Sequence, residues 1–571
     1  MELAHLFSQK IGYLCGRMKK KMIAGLVWLM FLFCASATAQ ELPLAPAPKR
    51  EYRAVWVATI GGLDWPRHRA STPSQAEKQK AELCQLLDSL QALNLNTVLL
   101  QVRIRGDVIY PSSLEPFNYV ISGKQGVSPG YDPLAFAVEE CHKRALQLHA
   151  WMVTFPLGDS KGSVGRRYPE LCVQYRGSWY LNPGQPATTD YLVSLATEIV
   201  KNYDIDGIHF DYIRYPDDPS SFPDKALYKK YSTGESLQEW RRGNITRFVR
   251  TLYKRVKELK PWVCVSCSPL GKFKDTPRYS SRGWNAYNTV YQDAQGWLKE
   301  GIMDALFPML YFDGDDFYPF AFDWHEQSGG RYVAPGLAAY KLLAGEGNWE
   351  TGDLTRQLYA IRHAGLEGAA YFRANQLYVN LKGINNFLRR YYVYPSLVPA
   401  LPWCDSIAPA QPARLEVTRD GNSYRLNWQP VEPREGMPAL HYNVYADSSY
   451  PVDVTKACNL VATTLSLPTF TYRTTGTPLH FAVTAIDRFG NESAPALWKG
   501  TIPAAYAPTL LDMPRVDDAK AVIVICDIAR RPILKARYAP RLNLSKIGHG
   551  CYFVDILSHK GVLISSFPII R

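Results

Sequence analysis

Cysteine is sparse and unpatterned in this chain. Eleven occur in 571 residues, and the nine after residue 39 form an odd, scattered set rather than a disulfide framework. Cys264-Val-Ser-Cys267 has no second pair with which to hold zinc, so these residues read as small buried thiols. A serine nucleophile on a Gly-x-Ser-x-Gly elbow is not expected, and no cysteine stands in a recognisable nucleophile context. Beyond the first 39 residues, no stretch offers the roughly 20 continuous apolar residues of a membrane helix. Acidic charge is in deficit: 52 Asp and Glu face 65 Lys and Arg, for a formal net charge of +13. Five of the basic residues and one acid lie in the first 39 positions.

Those 39 residues read as a secretory leader. Lys19-Lys20-Lys21 precede an apolar run from Met22 to Phe33, and Ala37-Thr38-Ala39 supplies a small-residue cleavage site before Gln40. Cys34 leaves lipid anchoring in the envelope open as an alternative, against the bulky Phe33 before it. The expected location is therefore outside the cytoplasm: periplasm, outer-membrane surface or medium. A basic exported protein suits an anionic polymer such as cell-wall glycan, and nucleic acid is not an expected partner.

After a Pro/Ala linker, eight strand-like runs alternate with helix-like segments: 52–59, 96–102, 147–153, 205–211, 263–268, 304–311, 331–337 and 367–373. Eight such units over residues 50–395 predict a (β/α)8 TIM-type barrel. The rival, a doubly wound open sheet, would usually carry a Gly-rich phosphate turn after its first strand. Gly61-Gly62-Leu63-Asp64-Trp65-Pro66 is not one. A second proline-rich linker leads into short alternating runs over 410–503. Trp428, Tyr442, Tyr445 and Asp487-Arg-Phe-Gly-Asn-Glu-Ser493 resemble a fibronectin type III sandwich there. A further β domain over 515–571 resembles the C-terminal sorting or anchoring domains of secreted Bacteroidetes proteins. The fold class expected is thus α/β, followed by all-β.

Enzyme sites in such barrels lie at the C-terminal ends of the strands. In Ile205-Asp-Gly-Ile-His-Phe-Asp211, strand parity puts Gly207, His209 and Asp211 on one face and Ile208 and Phe210 on the other. Asp211 then ends the strand at the barrel mouth, with His209 a layer below. The same reasoning turns Gln101, Arg103 and Arg105 inward on the second strand and His149 and Trp151 on the third. Tyr311 ends the sixth, and Tyr371 and Arg373 share a face on the eighth. A barrel metal site would be expected to begin with an inward His-x-His on the first strand, where this chain has Trp56 and Ala58; neither metal nor cofactor is indicated. Carboxylates with aromatics and guanidinium groups are the kit for glycoside hydrolysis, in which one acid protonates the leaving oxygen and a second carboxylate is nucleophile or base. Asp211 is the first. The second is open among Asp313, Asp315, Asp316, Asp64, Asp107, Glu115 and Asp293, with Asp313 carried forward.

The ordered motifs Arg53-Ala-Val-Trp-Val-Ala, Gln101-Val-Arg103, Pro129-Gly-Tyr-Asp-Pro-Leu134, His149-Ala-Trp151, Leu181-Asn-Pro-Gly184, Asp206-Gly-Ile-His-Phe-Asp-Tyr-Ile-Arg-Tyr-Pro216, Trp240-Arg-Arg242, Ser268-Pro-Leu-Gly271 and Tyr291-Gln-Asp293 strongly resemble the glycosyl-hydrolase-like 10 family of bacterial envelope proteins. The resemblance spans about residues 50–390. It implies a (β/α)8 hydrolase of O-glycosidic bonds in an amino-sugar glycan, with peptidoglycan strands stripped of their peptides as the substrate class. It also implies that Asp211 is catalytic. Gln101, Arg103, His149, Asn182, His209 and Tyr311 would then position the sugar, with Trp56 and Trp151 stacking on it. Arg103 and Arg214 are suited to pair with the lactyl carboxylate of muramic sugars. Where many members read His-Ala-Trp-Phe-Asn-Pro, this chain reads His149-Ala-Trp-Met-Val-Thr-Phe-Pro156, without the Asn. The alternatives are a hydrolase of dietary or host polysaccharide and a carbohydrate-binding barrel without activity.

Overall fold

The computed structural model describes residues 46–277, 282–474, 479–500, 510–528, 530–548 and 550–570. The leader read over residues 1–39 lies outside the described residues. Among those described, no helix is long and apolar enough to cross a membrane.

Eight parallel strand positions build the core: β1 (Tyr52–Val57), β2 (Thr97–Arg103), β3 (Gln147–Val153), β4 (Gly207–Asp211), β5 (Cys264–Cys267), β6 (Ala305–Leu306), β7 (Tyr332–Val333 and Gly336–Leu337) and β8 (Gly368–Tyr371). Each pairs with its sequence neighbours, and β8 pairs with β1. The two halves of β7 close the ring: the first bonds β6 and the second bonds β8. Pro335 explains the break, because it has no N–H to donate; its carbonyl instead accepts from Ala370 N. Pro308 likewise ends regular β6 well short of the expected Tyr311, and its carbonyl accepts from Gly336 N.

Helices follow the strands as α1 (Pro73–Gln91), α2 (Pro133–His142), α3 (Pro186–Asn202), α4 (Leu237–Leu259), α5 (Ala294–Glu300), α6 (Tyr318–Glu326), α7 (Thr351–His363) and α8 (Ile384–Tyr391). Their starts are set locally. Thr72 and Asp132 cap α1 and α2, and Ser236 with Glu239 forms a capping box on α4. The strand faces divide as parity demands. Val55, Val98, Leu100, Ile208 and Phe210 pack the helix layer, while Tyr52, Ala54, Trp56, Leu99, Trp151 and Phe307 fill the barrel.

The all-β part follows the barrel. Strands over 413–420, 423–429 and 469–473 form one sheet, and strands over 460–465, 441–447, 480–486 and 496–498 another. They share a core with Tyr424, Trp428, Tyr442 and Phe481. This sandwich is docked at the N-terminal ends of the barrel strands. Arg488 pairs with Asp204 and Asp206 at the root of β4, at 2.9 and 3.0 Å, and Glu492 receives Lys49 at 2.5 Å. A last sheet (532–537, 522–526, 551–557, 563–570) and a two-strand ribbon (510–512, 541–543) complete the described chain.

Candidate active site

A cleft of about 460 Å³ opens at the C-terminal mouth of the barrel. Asp211, the last residue of β4, reaches it and is only 7 % exposed. Its backbone is fixed by Thr154, whose N–H and hydroxyl both donate to the Asp211 carbonyl, at 3.0 and 2.8 Å. Thr154 occupies the stretch where this chain departs from the family's usual motif, between Val153 and Pro156, which line the cleft. Burial pushes the Asp211 carboxyl above its ordinary range, opposed by the Tyr212 N–H, the Arg214 charge, Ser268 and Trp151. The Tyr212 N–H donates to Asp211 Oδ1 at 2.7 Å. Ser268 and Trp151 face the carboxyl without closing a bond of normal geometry. Directly after Asp211 the chain turns left-handed, with Tyr212 at φ 53°, which swings that ring into the cleft. Such a conformation costs a bulky residue of order 1–3 kcal/mol, and cost of this kind concentrates at functional sites.

One wall is aromatic. Trp56 Nε1 donates to His209 Nε2 at 3.2 Å, so His209 carries its proton on Nδ1 and donates to Ser266 Oγ at 3.0 Å. Burial holds His209 well below the usual imidazole range, and therefore neutral. Phe372 meets Trp56 edge-on at 6.0 Å and stacks on Tyr311 at 5.6 Å. Across the cleft, Trp179 and Tyr180 come from a three-stranded sheet inserted after β3 (156–158, 172–175, 178–181).

The other wall is cationic. Arg214 is 7 % exposed; its Nη1 donates to Asp217 Oδ1 at 2.6 Å, while its buried Nε has no partner. Its guanidinium carbon lies 4.7 Å from the Tyr212 ring centroid and 5.8 Å from that of Trp284. The exposed Arg105 lines the same cleft. It lies over Gly158, where a Cβ would come within 3.0 Å of Arg105 Cδ.

Several expected ligand contacts fall elsewhere. The register of β2 slips between Gln101 and Arg103, a bulge that reverses the parity, so Arg103 stands opposite Met152 on the helix side. It is fully buried there, bound bidentately to Glu115 at 2.8 and 2.6 Å and donating to Thr154 O at 2.7 Å. Arg103 is therefore structural. His149 points inward as expected but is fully buried on Gly207, below the cleft floor. His209 supports Trp56 from beneath rather than lining the cleft. Asn182 is a turn residue, with Oδ1 accepting from Gly184 N at 3.0 Å. Gln101 does line the cleft; its Oε1 accepts from Thr59 N and Ile60 N, at 3.0 and 2.9 Å, which leaves its amide nitrogen for a ligand. Trp151, Arg214 and Tyr311 line it as well.

Asp313, expected as the second carboxylate, lies on the loop beyond β6, outside the cleft lining. Asp64 is held by Arg373, Ala58 N and Asn375 N, Glu115 by Arg103, and Asp293 caps α5. Asp107 accepts from Gln125 Nε2 at 3.2 Å, and Asp316 pairs with Lys272. Asp217 is the carboxylate that joins Asp211 in the cleft lining. Sequence reasoning missed it because it follows Pro216 in a loop, where no strand parity applies. The letters Gly158-Asp-Ser-Lys-Gly162 do spell the serine-elbow pattern, contrary to expectation. Ser160 is an exposed turn residue whose Oγ accepts from Gly162 N at 3.1 Å, and no histidine contacts it. Among the described residues, no group of three or more His, Cys, Asp or Glu is placed to hold a metal.

The model of the family described as glycosyl hydrolase-like 10 matches residues 51–336. The chain is 33 % identical over 479 residues to the glycosyl hydrolase YngK of Bacillus subtilis (strain 168), covering 78 % of this chain and 92 % of that one. It is 30 % identical over 340 residues to the glycosyl hydrolase DigH of Escherichia coli (strain K12), covering 52 % and 77 %. Among solved structures, the alpha-L-fucosidase isoenzyme 2 of Paenibacillus thiaminolyticus matches at 12 % identity and a TM-score of 0.42, over 63 % of this chain and 52 % of that one.

Proposed function

The chain belongs to the glycosyl hydrolase-like 10 family, and on that premise we propose that it is an exported glycoside hydrolase of an amino-sugar glycan, with peptidoglycan stripped of its peptides as the substrate. The observation that carries this reading is a buried carboxyl, held above its ordinary range, in a cleft walled by aromatic rings on one side and an unpartnered guanidinium nitrogen on the other. Asp211 acts as general acid, delivering its proton to the glycosidic oxygen as the bond from C1 breaks. Asp217 is the partner carboxylate, taking a proton from the water that attacks C1. Tyr311 and Phe372 offer ring faces to the sugar over the buried Trp56, and Gln101 a donor. Arg214 Nε, facing no protein acceptor, suits a sugar carboxylate such as the lactyl group of muramic acid. Export rests on the leader sequence.

The test is product analysis. Purified protein is incubated with peptidoglycan before and after amidase stripping, and with a neutral chitin oligosaccharide, and new reducing ends are identified by mass spectrometry. The reading expects products from stripped strands ahead of the others. Binding without turnover on any substrate would replace it with a carbohydrate-binding barrel. Retained activity in Asp217→Asn on N-acetylated strands would move the second role to the substrate's own acetamido group.

A further inference from the structure

In the strand Cys551–Leu557 alternate residues face opposite ways. Val554 and Ile556 enter the core of the C-terminal domain. Phe553 turns the other way, onto Tyr394 and Ala457, with its ring centroid 4.9 Å from that of Tyr394. Cys551, two residues before Phe553, shares that outward face. Its thiol lies beside Cys458 of the turn Ala457–Asn459, a residue half-buried in the cluster that Phe553 joins. Tyr394 senses both sulfurs. Two half-buried thiols from different domains thus converge on one small apolar junction.

We propose that Cys458 and Cys551 close a disulfide that ties the C-terminal sheet to the sandwich. The reaction exchanges with a disulfide oxidant, either a small molecule such as oxidised glutathione or the disulfide of a thiol oxidoreductase. One protein thiolate attacks a sulfur of the oxidant and releases one thiol. The second protein thiolate then attacks the resulting mixed disulfide, forming the Cys458–Cys551 bond and releasing the other thiol. Two electrons and two protons leave the protein pair, and the oxidant is reduced to two thiols. The two thiols stand beside each other across the junction, each perturbing the other. Cys526 shares the junction but stands opposite Phe553, diagonal to Cys551 and out of bonding range along the sheet.

Peptide mapping tests this on the full chain. Purified protein is oxidised with oxidised glutathione, unfolded in the presence of an alkylating agent, digested and analysed by mass spectrometry. The expected result is a linked pair of peptides carrying Cys458 and Cys551, lighter by two hydrogens and separated by reduction. Cys458→Ser and Cys551→Ser should each abolish the linked species while keeping the wild-type circular dichroism spectrum. Recovery of both cysteines alkylated after oxidation would overturn the proposal. So would linkage of either to Cys526, or a link between two chains.

Discussion

Replacing Arg103 by Met separates a structural guanidinium from a sugar-binding one. Arg103 and Glu115 form a fully buried bidentate pair, with the Tyr191 hydroxyl donating to Glu115 Oε1 at 2.9 Å and Arg103 Nη1 donating to Thr154 O. Removing one partner of such a pair strands the other charge out of water, at a cost of about 3–5 kcal/mol. For a barrel of this size, at about 2 °C per kcal/mol, the unfolding midpoint of Arg103→Met should fall by roughly 6–10 °C. Glu115→Gln should fall similarly. The double variant Arg103→Met/Glu115→Met should regain a large part of the loss, because an apolar pair of similar volume strands no charge. A thermal double-mutant cycle measures the coupling. Kinetics on the folded fraction supply the second readout. KM should stay at the wild-type value, while kcat drops, because Thr154 holds the backbone of Asp211. A raised KM with an unchanged melting midpoint would refute the structural assignment and put Arg103 back in the sugar site.

Three further outcomes follow from the same geometry. Gly207→Ala should destabilise by about 1–3 kcal/mol or more, because its Cβ would lie 2.5 Å from Cγ and Nδ1 of the buried His149 ring; a thermal melt reads the loss. Burial lowers His149 to about 4, below its ordinary value, so the unfolded chain binds the proton first. Stability should therefore fall as pH drops from about 6.5 toward 4, and His149→Phe should reduce that slope in melts across the range, the buried His209 keeping its own share. Arg214→Met should weaken binding of a carboxylate-bearing glycan roughly tenfold to a hundredfold, in line with about 1.5–3 kcal/mol for hydrogen bonds to a charged group. Binding of a neutral chitin oligosaccharide, measured by calorimetry, should change little.

The strand order and the division of faces on β4 were legible because an eight-unit alternation and a period of two survive in the residues themselves. Ile208 and Phe210 pack helices and His209 and Asp211 look inward, as parity required. What parity could not show lay where the backbone breaks its own period. One inserted residue near Val102 turned Arg103 outward, and Pro335 split β7 between two neighbours. Asp217 was hidden for a related reason. Its place in the cleft depends on the turn from Tyr212 to Pro216, which no periodicity encodes. The side sheet carrying Trp179 and Tyr180 is an insertion between β3 and α3, so the alternation of barrel units passes over it. The docking of the sandwich through Arg488 needed two segments far apart in the chain to meet.

The proposed role of Asp211 is that of the acid in a glycosidic cleavage. Its most direct test is kcat/KM of wild type and Asp211→Asn on a soluble stripped-glycan oligosaccharide across pH. The variant should lose about 10²–10⁴-fold at an unchanged melting midpoint. Wild-type kcat/KM should fall as pH rises through a group titrating above the ordinary carboxylate range, a limb the variant lacks. Wild-type turnover by Asp211→Asn, with the same pH profile, would contradict it.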